Sequence, residues 1–171
     1  MKKLLLPIIS LICSGCMTIP ESRQPVTNFD LDQYLGKWYE IARLDHPFER
    51  GLEQVTAEYS LNFDGSVKVL NRGFSVKKNE WSQAEGRAKY AKDKETGYLK
   101  VSFFGPFYAS YIIFELDKEN YEYAYISGKK TNYLWFLSRN PIVSEKEKQK
   151  FIKRAKAAGF NTDELIFVKH D

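Results

Sequence analysis

The feature that most restricts this chain is an alternation of apolar and polar residues that restarts after every short turn from Gly36 to Arg139. Between residues 54 and 63, Val55, Ala57, Tyr59, Leu61 and Phe63 fall on one face, and Thr56, Glu58, Ser60 and Asn62 on the other. Successive strand side chains point to opposite faces, so this pattern predicts a strand buried on one side. Asp64-Gly65 is a tight hairpin signal, and Val67-Lys68-Val69-Leu70 returns from it. Lys77-Lys78-Asn79-Glu80 makes a polar turn into the run from Trp81 to Tyr90, where the small residues Ala84, Gly86 and Ala88 leave room on the face they share with Tyr90. Thr96-Gly97 turns into the run Leu99 to Phe103, and Gly105-Pro106 ends it. Tyr108 to Leu116, Tyr121 to Ser127 and Asn132 to Arg139 follow, and a first strand occupies 36–45. The reading is eight consecutive antiparallel strands.

After the strands the period changes. Ser144-Glu145-Lys146-Glu147 is a capping box, Phe151, Ile152, Ala155 and Ala158 form one helical face, and Gly159 stops the helix. Leu165-Ile166-Phe167-Val168 offers a short final strand. Eight antiparallel strands in sequence can close on themselves, which removes the unpaired edges that invite aggregation. The expected fold is therefore all-β: an eight-stranded up-and-down barrel with one C-terminal α-helix packed outside and a short last strand. A barrel of this size encloses one small ligand when its inward residues are not all large.

One stretch has a closing role in such a barrel. In Gly36-Lys37-Trp38-Tyr39-Glu40-Ile41-Ala42-Arg43 the glycine permits a sharp bend, and Trp38 can then swing into the floor. A flat cation is the natural cover for an indole, and Arg139 at the end of Tyr133-Leu134-Trp135-Phe136-Leu137-Ser138-Arg139 is expected to supply it. Gly36, Trp38 and Arg139 are read as a structural floor.

Ahead of the barrel, Met1-Lys2-Lys3 and the apolar run Leu4 to Ile12 have the form of a secretory leader, too short to span a bilayer. Cys13-Ser14-Gly15-Cys16 resembles the bacterial lipoprotein box, which implies acylation of Cys16 and removal of residues 1–15; the third residue before the modified cysteine is here Cys13 rather than the usual Leu. Residues 16–27 then read as a lipidated tether, with Pro20 and Pro25 and little apolar content, ahead of a domain over 28–171. Met17 after the cysteine implies sorting to the outer membrane, on its periplasmic face. With Cys16 acylated the mature chain has no cysteine left for a disulfide, and its core alone must hold it. Net charge is +4 over the whole sequence, Lys2 and Lys3 lie in the leader, and Lys and Glu interleave elsewhere. Nothing there forms the basic stripe that a nucleic acid requires.

Asn28-Phe29-Asp30 with Gly36 to Arg43, Thr131-Asn132-Tyr133 in place of the more usual Thr-Asp-Tyr, and Leu137-Ser138-Arg139 together resemble the three motifs of the lipocalin family. Phe103-Phe104-Gly105-Pro106-Phe107-Tyr108 and the segment Asp45 to Glu53 look like its bacterial outer-membrane branch, close to apolipoprotein D. The resemblance covers roughly 28–170. It implies a carrier of fatty acids or lysophospholipids, held on the membrane by its N-terminal lipid.

The residues make that use reasonable. Aromatics are 15% of the chain, and Tyr59, Tyr90, Leu99, Val101, Phe103, Tyr111, Tyr133 and Trp135 are expected to line the calyx, with Phe48, Leu52 and Phe107 at its mouth. At roughly 25 cal/mol per Å² of buried apolar surface, such a lining would hold an alkyl chain. Plain core packing is the alternative for each of them. Phe48 and Leu52 are placed to touch lipid or a second subunit, and a homodimer is compatible with either. The rival classes are a lipid-modifying enzyme on the same scaffold and a structural envelope lipoprotein with a filled barrel. Against the enzyme, no thiol is free, no Gly-x-Ser-x-Gly elbow or metal-ligand spacing occurs, and Asp45 and His46 fall on opposite faces of a strand. His46 at a strand end and His170 at the C-terminus are not expected inside as haem ligands. The expectation is a non-enzymatic binding protein with neither cofactor nor metal.

Overall fold

The computed structural model describes residues 18–171. The leader, Cys16 and Met17, on which the expected lipidation and sorting rest, lie outside the described residues. A short helix α1 (Leu31–Tyr34) precedes eight strands: β1 (Gly36–Leu44), β2 (Leu52–Leu61), β3 (Val67–Ser75), β4 (Glu80–Tyr90), β5 (Tyr98–Phe104), β6 (Phe107–Leu116), β7 (Tyr123–Ser127) and β8 (Leu134–Ser138). Helix α2 (Glu145–Ala157) and strand β9 (Leu165–Phe167) follow.

Each strand pairs antiparallel with the next, and β1 pairs with both β2 and β8, so the sheet closes into a barrel. Register fixes its two ends. Gly36 lies opposite Tyr59, and Tyr39 opposite Ser138, at one end; Arg43 lies opposite Trp135, and Leu52 opposite Ser75, toward the other. The connections after β1, β3, β5 and β7 therefore gather at one rim, and those after β2, β4 and β6 at the opposite rim.

Two apolar clusters follow from the alternation. One fills the barrel interior from Trp38, Ala57, Tyr59, Val69, Ala88, Leu99, Ile113 and Ile126, and is sealed from the α1 side by Phe29, Leu31 and Tyr34. The other lies outside, where Phe151, Ala155 and Ala158 of the helical segment press on Ile41, Ile112, Tyr125 and Phe136. Many of the remaining outward positions carry charge, among them Glu58, Glu85, Arg87, Lys89 and Lys100, all exposed. This is the reverse of a barrel that crosses lipid, whose outer face is apolar.

Local chemistry starts and stops the helix. Ser144 accepts from the Glu147 amide while the Glu147 carboxylate accepts from the Ser144 amide, completing the capping box. Gly159 takes φ +87° just beyond the last turn, a conformation that strains any side chain.

Two expectations need adjustment. Leu61 and Phe63 do not continue the buried face of β2: they are 54% and 115% exposed. The strand ends at Leu61, and the 62–66 hairpin, closed by the Asn62 amide donating to Ser66 O, turns outward past the closed end. Residues 18–27, whose composition reads as a flexible linker, are laid along the barrel wall. Arg23 is buried in a 3₁₀ turn, Val26 N donates to Ile113 O, and Thr27 bridges to Thr96.

Candidate ligand site in the barrel interior

At the closed end Gly36, Trp38 and Arg139 lie together. Gly36 adopts φ +91°, which only glycine takes readily, and turns the chain from α1 into β1. The indole of Trp38 is fully buried and its Nε1 donates to Tyr34 O at 2.8 Å. The Arg139 guanidinium lies 3.8 Å over the Trp38 ring and donates to the carbonyls of Lys37, Gln33, Leu35 and Tyr121. The carbonyls of Gln33, Leu35 and Lys37 end α1 and begin β1, so one cation both covers the ring and satisfies a turn.

Above this floor three hydroxyls form a chain. Tyr111 Oη lies 2.7 Å from Tyr34 Oη and 2.7 Å from Tyr59 Oη. Burial pushes all three phenols upward, so they remain neutral and can donate. Higher still sits a group of charges inside the barrel. Arg43 Nη1 donates to Glu40 Oε1 at 2.7 Å, and Arg43 Nη2 donates to the carbonyls of Glu49 and Leu52. Trp135 Nε1 donates to Glu49 Oε2 at 3.0 Å, and His46 Nε2 lies 2.9 Å from the same oxygen. Burial, then the adjacent Glu49 charge, raise Glu40 well above the ordinary carboxyl range against the pull of Arg43. Burial works to raise Glu49 as well, but His46 and the Trp135 indole outweigh it and hold Glu49 below that range, ionised.

The arrangement brings together most of the residues read as calyx lining. Tyr59, Leu99 and Val101 are fully buried in the lower half, whereas Phe103, Tyr111, Tyr133 and Trp135 are half-buried. Tyr133 stacks on Trp135 at 5.9 Å and 14°. Tyr90 is also half-buried, but at the closed end near Asp30 and Asp32. Gly86 opens no space on its strand, because the Phe103 ring covers it within 2.8 Å of where a Cβ would stand. Of the mouth residues, Phe48 and Phe107 are 69% and 79% exposed. Leu52 instead packs beside Gly73 in the wall.

His46 is a correction. Expected at a strand end and away from the interior, it is 3% exposed, with Phe48, Tyr133 and Trp135 rings around it at 5.2 to 5.9 Å. The cause is Arg43, whose bonds to Glu49 O and Leu52 O draw the 45–51 connection inward over the barrel edge. Asp45 points out to Arg50, so the two neighbours do not act as a pair. His170 stays outside and meets Glu40 O at 2.8 Å.

Sequence reading missed Tyr34, Glu40, Arg43, His46 and Glu49 as interior groups. Glu40 was accessible to it, being two residues from Trp38 on the same strand face. Arg43 was not: the register slips between Glu40 and Ala42, so Ile41 and Ala42 both face the outer cluster and Arg43 returns to the inside.

A closed eight-stranded barrel with a Trp–Arg floor, an aromatic upper interior and a helix on its flank defines a binding protein of the calyx type. Residues 29–170 match the family described as a lipocalin-like domain, and the chain belongs to the lipocalin family. It is 56% identical to the Outer membrane lipoprotein Blc of Vibrio cholerae, over 99% of each chain. It is 38% identical to Apolipoprotein D of Rattus norvegicus over 68% of this chain and 64% of that one. Insecticyanin of the tobacco hornworm Manduca sexta shares the fold with a TM-score of 0.68 at 22% identity, over 86% of this chain and 84% of its own. With relatives of this closeness, the chain is an outer membrane lipoprotein.

Proposed function

We propose that this lipocalin binds single-chain lipids, fatty acids or lysophospholipids, in its calyx, and that acyl groups on Cys16 hold it at the periplasmic face of the outer membrane. The observation that carries the reading is the graded interior: a dry floor topped by Phe103, Tyr111, Tyr133 and Trp135, which are inward yet only half-buried. Inward aromatic surface left open to the mouth is what an alkyl chain would cover. The ionised Glu49 carboxylate beside Trp135, in the upper interior, opposes the passage of an anionic headgroup toward the floor. The acyl chain therefore enters first, and the headgroup stays near Phe48 and Phe107. The role is carriage and not catalysis.

Titration of a soluble form beginning at Thr18 with fatty acids and lysophospholipids tests this. Quenching of Trp135 fluorescence, lost in Trp135→Phe, is expected at micromolar lipid. Failure of every lipid class to quench or to displace a fluorescent fatty acid would sink the reading, and hydrolysis of the lysophospholipid would establish an enzyme instead.

A further inference from the structure

The rim around the calyx opening carries a surface that neither barrel packing nor ligand binding inside it requires. Phe48, Val76, Phe104 and Phe107 lie in or beside three separate connections at this end, and they are 55% to 79% exposed. Scattered apolar residues are ordinary on a protein surface, and Leu61 and Phe63 stand exposed at the closed end, but the larger group, three phenylalanines and Val76, lies at this rim.

Charge separates the same two ends. The connections after β1, β3, β5 and β7, together with Glu80, carry Arg50, Lys77, Lys78, Lys129 and Lys130 against only two exposed acids, Asp45 and Glu80. The connections after β2, β4 and β6 carry six acids against three lysines. The opening is thus the basic end and the floor the acidic one.

The path of the chain supplies a third, independent observation. Arg23 Nη1 donates to Gly128 O at 3.2 Å and Lys129 O at 3.1 Å, both in the connection between β7 and β8 at the opening. The described chain begins five residues earlier, two positions after Cys16. The membrane-attached end of the protein therefore leaves the barrel beside its mouth and not beside its floor.

We propose that the calyx rim docks on a bilayer carrying anionic headgroups. The exposed phenylalanines enter the boundary between headgroups and acyl chains, the lysines lie against lipid phosphates, and the opening faces the bilayer directly. A lipid can then pass between membrane and calyx without its tail crossing water. The proposal uses the Cys16 anchor for attachment but does not depend on what occupies the calyx.

The test uses the full chain with its own anchor, reconstituted in phosphatidylethanolamine vesicles with and without phosphatidylglycerol. With Cys16 acylated, Phe107→Cys, Val76→Cys and Phe63→Cys each provide a single thiol, the last at the opposite end. A polarity-sensitive label should shift to the blue and be quenched by spin-labelled lipid several-fold more strongly at 107 and 76 than at 63. The difference should shrink when phosphatidylglycerol is omitted, or when Lys77, Lys78, Lys129 and Lys130 are all changed to Gln. Equal quenching at 63 and 107 would overturn the proposal. So would protection at 107 that disappears when the protein is diluted over more vesicles, because that outcome assigns the rim to a second copy of the chain.

Discussion

At the residue scale, Arg139 and Glu40 make opposite predictions. Arg139 serves the floor, below any ligand, through one ring face and four carbonyls. Arg139→Ala should lower stability by about 2–4 kcal/mol in denaturant titration while leaving lipid affinity per folded molecule almost unchanged; unchanged stability with weakened binding would reverse the assignment. Glu40 is a carboxyl whose folded value is raised, by burial first and the Glu49 charge second. The folded state then keeps a proton that the unfolded chain gives up, so this group's contribution to stability falls as pH rises from the ordinary glutamate value of about 4.3 toward the raised one. Glu49, lowered, acts in the other direction and loses its contribution as pH falls below that value. Glu40→Gln should accordingly flatten the alkaline side of the stability profile, and an unaltered slope would show that Glu40 does not titrate there. Trp38, Arg139 and Tyr59 could be read from the sequence because strand period and an aromatic demand for cover are local rules. Arg43 and His46 could not, since a one-residue bulge and two long-range hydrogen bonds decide which way they face.

Elements differ in legibility for the same reason. Helix α2 was readable end to end, because its start is a reciprocal pair three residues apart and its stop is a single glycine. Ser144→Ala should cost about 1 kcal/mol without altering lipid binding, a difference that paired melting and titration curves would reveal. The segment 18–27 was unreadable, since its polar, proline-bearing composition fits a loose linker. What holds it is a guanidinium bonded to carbonyls more than a hundred positions away. Arg23→Ala should free this segment and make it a preferred site of limited proteolysis, while the barrel resists. Equal resistance in both proteins would mean that Val26 and Thr27 suffice to keep it down.

For the whole molecule, strand count and closure were legible because eight alternating runs leave one economical way to avoid open edges. The contrast between the barrel's two ends was not, because it emerges only when alternate connections are gathered at opposite rims. Saturation of the calyx should raise the melting temperature, since a ligand at a hundred times its dissociation constant adds about 2.7 kcal/mol to the folded state. Scanning calorimetry with and without lysophospholipid would detect that shift, and its absence would argue for a filled barrel. The pinned N-terminal segment also sets how far the protein can travel. A loose chain from Cys16 to Thr27 would be a leash of roughly 40 Å at about 3.5 Å per residue. The segment is packed down from Ile19, so acyl groups on Cys16, as proposed above, would sit only three positions before the first packed residue. A protein anchored there could not swing across an aqueous gap to meet another membrane. On the proposed function it would collect and deliver its cargo within the plane of the leaflet that holds it, by lateral diffusion.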